Sequence, residues 1–190
     1  MLSENEFNKF VEEIRFDWAQ RHFTDALAKI ESVMDRLTPQ MKARCLLLRG
    51  EMKDEQGLPD DAREDWLTAI DYSIEGSYLR YLLEYEIGNS FQRAALLDKA
   101  LLRYHKALES CANGDFFSGS SAAAAFLALN GGQIPVKYRS MIATVVEKSW
   151  AVLELPGNPQ LRDLPQAIVS LIAGRDEKIR KIKETANSLD

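Results

Sequence analysis

Few side chains in this sequence have the types and spacing that catalysis needs. The two histidines, His22 and His105, lie far apart, and neither belongs to a His-x-x-x-His or Glu-x-x-His pair that would place two metal ligands on one helix face. Cys45 and Cys111 are also far apart, and each follows a helical stripe of apolar residues. This pattern favours buried free thiols in a reducing compartment. We therefore predict a cytoplasmic protein with no catalytic residues, no metal and no cofactor.

Charge is the more informative chemical feature. Residues 51–75 contain nine acidic residues and only two basic ones, Lys53 and Arg63. Two interpretations fit this stretch: a solvated helix face with acids near a helix N-terminus, or an acidic patch that docks a basic partner. The predicted acidic patch consists of Glu55, Asp60, Asp61, Glu64 and Asp65.

The composition is that of an ordinary globular domain. The chain has 190 residues, of which 46% are hydrophobic and 28% charged, and its net charge is −5. Such a length fits one domain with a core that needs neither metals nor disulfides. The negative charge argues against a general nucleic-acid-binding protein. No apolar run reaches the roughly 18–20 residues of a membrane helix, so no membrane partner is expected.

The residues above must be positioned by helices. Apolar residues recur at i, i+3, i+4 and i+7 between the prolines, and no segment alternates as a strand would. This pattern predicts an all-α fold. The predicted helices span 4–20, 23–37, 40–56, 59–74, 77–94, 96–112, 120–130, 135–154 and 163–188, with a break near Gly174 in the last.

Residue types repeat along the chain at a spacing of 38. The matched pairs are Gly50/Gly88, Ala62/Ala100, Trp66/Tyr104, Ala69/Ala107 and Ile70/Leu108. A glycine inside a helix costs about 1 kcal/mol relative to alanine, so something must offset that cost. We expect a neighbouring helix to approach each glycine closely, with the alanine on the facing helix. The aromatic residue should then fill the space towards the next helix pair.

These positions resemble the tetratricopeptide repeat family. The family's small first-helix residue falls on Gly50 and Gly88, and its turn glycine falls on Gly57 and Ala95. A weaker unit centres on Ala26, where Ile14 departs from the glycine pattern. The spacing of 38, and of 36 between Ala26 and Ala62, also departs from the family's 34.

The resemblance implies an architecture. Antiparallel helix pairs would stack as a right-handed solenoid over about three units in residues 1–112. Residues 113–190 would form a further helical pair, in which Ala122 to Ala125 pack tightly and Trp150 lies on the second helix, followed by a C-terminal capping helix. The alternative is a bundle of helices without a repeat.

The resemblance also implies a groove lined by the first helix of each pair. The groove positions are Arg15, Trp18, Leu47, Glu51, Asp54, Tyr85, Asn89 and Gln92. Val11 falls on a further groove position. The mixed aromatic and acidic character favours a neutral or basic partner over a free carboxylate.

The sequence therefore predicts a non-enzymatic module that binds a protein or peptide partner through this groove or the acidic patch. Two narrower functions stay open. One is a bacterial immunity or inhibitor protein that neutralises a basic toxin. The other is a regulatory domain that senses a peptide or a small molecule. The oligomeric state is not predicted.

Overall fold

The computed structural model describes residues 1–114 and 120–130, together with Met141 and Val145. All regular secondary structure in these residues is helical, as predicted. The α-helices are α1 (Glu4–Ala19), α2 (Phe23–Val33), α3 (Pro39–Glu55), α4 (Pro59–Tyr72), α5 (Tyr78–Arg93), α6 (Leu97–Asn113) and α7 (Ser120–Leu129). The predicted helix over 163–188 lies outside the described residues, as does Trp150, and of the helix over 135–154 only Met141 and Val145 are described, both helical.

The helix ends follow local chemistry. Ser3 begins α1 with a capping box, in which its backbone N–H donates to Glu6 Oε2 at 2.8 Å. Ser77 caps α5 by accepting from the Arg80 N–H at 3.1 Å. The second predicted helix ends differently, because the chain tightens into a 3₁₀ turn over Met34–Arg36 before α3.

The chain divides into two compact units, Met1–Ile74 and Glu75–Asp190. The division falls between α4 and α5, within the range of the predicted repeats. In the first unit, α1 and α2 form hairpin 1 and α3 and α4 form hairpin 2. In the second unit, α5 and α6 form hairpin 3, and α7 packs against α6.

Helix α3 is the centre of the first unit. It packs against α1 and α2 as well as α4, and it is therefore buried on several faces. This explains why α3 lacks a single apolar stripe. The core shared by hairpin 1 and α3 is built from large apolar side chains, including Phe7, Ile14, Ile30 and Met52.

The core of the second unit lies between α5, α6 and α7. Ala122 and Ala123 of α7 are buried in it, in agreement with the tight packing predicted for these two alanines, and Ala125 is partly buried against the same core. Val145 is also fully buried in this core, with Met141 packed beside it.

The three hairpins share one turn geometry. The second residue after the end of the first helix has a positive φ in each case: Arg21 (61°), Gly57 (80°) and Ala95 (57°). In each turn the next N–H donates to the carbonyl five residues back at 2.9 Å, from His22 to Asp17, from Leu58 to Lys53 and from Leu96 to Phe91. This is the hydrogen bond of a Schellman motif. Four residues after the donor of this hydrogen bond, each of the three hairpins has a fully buried alanine. These alanines are Ala26, Ala62 and Ala100.

The recurring turn predicts opposite effects for two reciprocal substitutions. A left-handed φ strains a residue that has a Cβ, so Ala95→Gly should stabilise the protein by about 0.5–1 kcal/mol. Gly57→Ala should destabilise it by a similar amount, and the strain alone would be responsible, because the added Cβ meets nothing within 4 Å. Urea unfolding of the two variants checks this. A loss of stability in Ala95→Gly would contradict the strain argument.

The predicted close approach at the helix glycines is confirmed, but its partner differs. A Cβ built on Gly50 would lie 2.6 Å from Cδ1 of Trp66, and one built on Gly88 would lie 2.6 Å from Cε1 of Tyr104. Each ring lies against the glycine of its own hairpin, because only a missing side chain leaves room for it between two helices. Tyr104 also belongs to the core that includes Ala122 and Phe126 of α7, in line with the prediction that this ring fills space towards the following helices.

Hairpin 1 solves the same packing problem with different residues. Ile14 and Ile30 occupy the positions of Gly50 and Trp66, and both are fully buried. Two medium-sized isoleucine side chains thus fill the space that a glycine and a tryptophan fill in hairpin 2. The departure at Ile14 is compensated sixteen residues later in the chain.

Candidate functional site

The predicted groove residues of the first unit lie on α1 and α3. Arg15 is exposed, and Trp18 is half-buried against the core of hairpin 1. The indole Nε1 of Trp18 donates to Glu55 Oε2 at 2.6 Å, and Arg21 pairs with the other oxygen of Glu55 at 3.4 Å. Glu55 therefore ties the turn of hairpin 1 to the end of α3.

The α3 residues of this predicted groove differ in exposure. Glu51 and Asp54 are half-buried. Leu47 is only 8% exposed, and its carbonyl accepts from the indole N–H of Trp66 at 3.2 Å. Val11 is buried as well. Leu47 and Val11 were wrongly predicted to line a groove, because hairpin packing covers both side chains.

The acidic patch is smaller than the sequence predicts. Asp61 and Glu64 are exposed on α4. Asp60 pairs with Arg63 three residues on, and Glu55 is engaged as described above. Asp65 is buried and was wrongly predicted as a surface residue, because its side chain turns towards α3.

Asp65 is the centre of an ion-pair network that joins α3 and α4 and reaches α2. Its oxygens accept from Arg49 Nε at 2.9 Å and from Arg49 Nη2 at 2.6 Å, and Lys53 Nζ lies at 2.8 Å. Arg49 also pairs with Glu31 of α2. Burial acts to lower the pKa of Arg49, but the hydrogen bond with Asp65 and the two acidic neighbours raise it overall. The network is a structural contact between helices, with no carboxylate left for a ligand on Asp65.

The predicted groove residues of the second unit meet in one place, around a ladder of tyrosines. Tyr78 and Tyr81 stack with ring centroids 5.9 Å apart, and Tyr81 and Tyr85 stack at 6.0 Å. Tyr85 contacts Tyr104 at 5.9 Å in a tilted arrangement. The ladder runs from Tyr78, which is 48% exposed, to Tyr104, which is fully buried.

Two amides end the ladder. Tyr104 Oη lies 2.8 Å from Asn89 Oδ1 and 2.6 Å from the terminal amide of Gln92. The phenol has only one proton to donate. Asn89 donates from Nδ2 to Glu86 at 3.3 Å, which turns its oxygen towards Tyr104. Gln92 must then present its NH₂ group to the phenol oxygen, since amide oxygen and nitrogen are assigned from their partners.

Tyr81 joins α5 to α7. The backbone of Ala122 hydrogen-bonds its hydroxyl, at the first turn of α7, where helix amides have no partner within the helix. Burial raises the pKa of Tyr81 well above its ordinary value, and burial also raises the pKa of Tyr104. Both phenols therefore stay protonated and act as hydrogen-bonding groups, not as nucleophiles.

Sequence reasoning identified Tyr85, Asn89 and Gln92 but missed the ladder. The signal was present in the spacing of Tyr78, Tyr81 and Tyr85, which places three rings on one face of α5. Tyr104 was recognised only as a packing residue. Its contact with the two amides depends on how α6 lies against α5, which no spacing reveals.

Both cysteines are free and buried, as predicted. Burial raises the pKa of Cys45 from 9.0 to about 11. No group of three or more His, Cys, Asp or Glu residues in the described ranges is placed to hold a metal ion. Among the helices of those ranges, none is long and apolar enough to cross a bilayer.

The Cys45 thiol predicts a loss of stability at alkaline pH. Between pH 9 and about 11 the unfolded chain loses this proton while the folded chain keeps it, so stability falls as pH rises through that window. The urea midpoint of the wild type should therefore fall between pH 8 and pH 10, and the fall should be smaller in Cys45→Ala. An equal fall in both proteins would show that Cys45 does not contribute.

Comparison of the chain with protein-family models, curated proteins and solved structures gave no match. Function is therefore inferred from the geometry of the described residues. The second unit offers the best-defined surface, because Tyr78, Tyr85, Asn89 and Gln92 converge along α5.

Proposed function

We propose that this chain is a tetratricopeptide-like helical-repeat protein that binds a protein or peptide partner without catalysing a reaction. The observation that carries the proposal is the turn repeated at Arg21, Gly57 and Ala95, with the same hydrogen bonds each time. Repeated helix pairs of this kind expose extended surfaces for partners. The stacking of the pairs into a right-handed solenoid is part of the proposal.

The proposed contact surface on the second unit is the exposed side of the tyrosine ladder on α5. Tyr78 offers a rigid aromatic face, and Gln92 an exposed amide. Aromatic side chains of this kind carry much of the binding energy at interfaces. A side-chain amide can form hydrogen bonds with the backbone of an extended peptide segment, and these bonds need no charge on the partner. A neutral or weakly basic peptide segment is therefore the proposed ligand.

A peptide library tests this proposal. Random 12-residue peptides on phage would be selected on the full chain, and the enriched sequences synthesised and titrated by fluorescence anisotropy. We expect a shared motif whose affinity falls about tenfold or more in Tyr78→Ala, in line with the loss of one aromatic anchor. Gln92→Ala should weaken the same peptides.

The matched control is Leu102→Ala, which removes a side chain on α6 that is 53% exposed. It should leave peptide affinity unchanged. Thermal unfolding of all three variants separates loss of binding from loss of fold. Failure to enrich any motif, or equal affinity in Tyr78→Ala and the wild type, would overturn the proposal.

A further inference from the structure

One position in the second helix of every hairpin is charged, and its sign alternates along the chain. The residues are Lys29, Asp65 and Arg103. Each directly precedes the core residue that packs against the first helix, namely Ile30, Trp66 and Tyr104. The positions are therefore equivalent in the three hairpins.

Each of these charges pairs with the first helix of its own hairpin. In hairpin 1, Lys29 Nζ lies 2.6 Å from Asp17 Oδ2. The negative charge of Glu13, on the same first helix, also attracts this lysine. Hairpin 2 carries the reverse arrangement, with Asp65 on the second helix and Arg49 and Lys53 on the first. The pairs thus have opposite polarity in neighbouring hairpins.

Hairpin 3 returns to the polarity of hairpin 1. Arg103 Nη1 lies 2.9 Å from Glu84 Oε2. Glu84 is fully buried, and its other oxygen accepts no hydrogen bond but lies 3.4 Å from Nε of Arg80. A buried carboxylate in this position contributes little net stability, because the free-energy cost of desolvating it opposes the attraction between the charges.

We propose that the alternating polarity helps to determine which helices pair. The three hairpins share one turn geometry, and hairpins 2 and 3 also share the packing of an aromatic ring on a glycine. Hairpin 1 differs in the volume of its packing residues, Ile14 and Ile30, and charge is a second feature that distinguishes the correct partner from its neighbour. Exchange would place Lys29 against Arg49 and Lys53, or Asp65 against Asp17. Like charges in contact across a helix interface disfavour such partners. The alternation therefore acts against exchanged helices within one chain and between two chains.

The test inverts the polarity of hairpin 1 alone. The variant Asp17→Lys with Lys29→Asp keeps an ion pair but gives hairpins 1 and 2 the same polarity. The wild type and the variant would be unfolded in urea, refolded at low and high protein concentration, and separated by size-exclusion chromatography with light scattering. We expect the variant to form several-fold more exchanged oligomer, increasing with concentration.

The control inverts a different pair between helices of the same unit. Glu4 Oε1 lies 3.2 Å from Arg44 Nη1 on the exposed surface, outside the alternating set. Glu4→Arg with Arg44→Glu should refold as the wild type does.

A neutral variant keeps the proposal testable if the inverted chain does not fold. Asp17→Asn with Lys29→Gln removes the charges with little change in volume, and it should also increase exchanged oligomer. A wild-type distribution of sizes in a folded hairpin 1 variant would overturn the proposal. So would a lowered melting temperature without exchange, because the pair would then contribute only to stability.

Discussion

Gly50→Ala is expected to destabilise the protein by about 2–3 kcal/mol, although alanine is the better helix former. The new methyl group would lie 2.6 Å from Trp66 Cδ1 and 2.8 Å from Cε2, and the ring is only 1% exposed. A buried indole that also donates to the Leu47 carbonyl has nowhere to move. The higher helix propensity of alanine offsets only about 1 kcal/mol of this loss. Urea unfolding monitored by circular dichroism measures the difference.

A double-mutant cycle identifies the cause. In a Trp66→Leu background the ring is gone, so Gly50→Ala should be neutral or stabilising by up to about 1 kcal/mol. The same cycle with Gly88→Ala and Tyr104→Leu repeats the test in hairpin 3, where the distance to Tyr104 Cε1 is also 2.6 Å. An equal cost of Gly50→Ala in both backgrounds would exclude the ring as its source.

Asp65→Ala is expected to cost about 2–3 kcal/mol, because it removes the buried carboxylate that Arg49 and Lys53 share, although Arg49 keeps its pair with Glu31. The side chains of Arg49 and Lys53 are only 19% and 23% exposed, so water reaches them incompletely. Thermal or urea unfolding at moderate salt measures the effect. Asp65→Asn, which keeps the size of the side chain, should lose less because it can still accept a hydrogen bond.

The control removes the whole network. Arg49→Met, Lys53→Met and Asp65→Leu together should restore stability to near that of the wild type, since an apolar replacement avoids burying charge. Asp61→Ala provides a matched change on the exposed side of α4 and should lie within about 0.5 kcal/mol of the wild type. A triple variant as unstable as Asp65→Ala would mean that the charges stabilise the hairpin outright.

The sequence predicted the helices well because each prediction depends on neighbouring residues. Apolar periodicity, prolines and capping residues act over one or two turns, so the bounds of α1 to α7, apart from the end of α2, lie within two residues of those predicted. The repeat was also visible, since equivalent turns and packing positions need similar residues. The packing at Ile14 could not be predicted from the repeat, because a pair of isoleucines can fill the space of a glycine and an aromatic ring.

Some features of the hairpins and of the candidate site could be predicted from the sequence, and others depended on the tertiary structure. The sequence by itself indicated the helical hairpins, the turns at Gly57 and Ala95, and the packing alanines at Ala26, Ala62 and Ala100. The matching turn at Arg21 was found only in the structure. Only the tertiary structure decided that Asp65 turns inward to Arg49, that Leu47 is covered, and that Tyr104 meets Asn89 and Gln92. These contacts depend on the rotation of one helix against another. Residues twelve or more positions apart set that rotation together, through the volume and charge that fit between the helices.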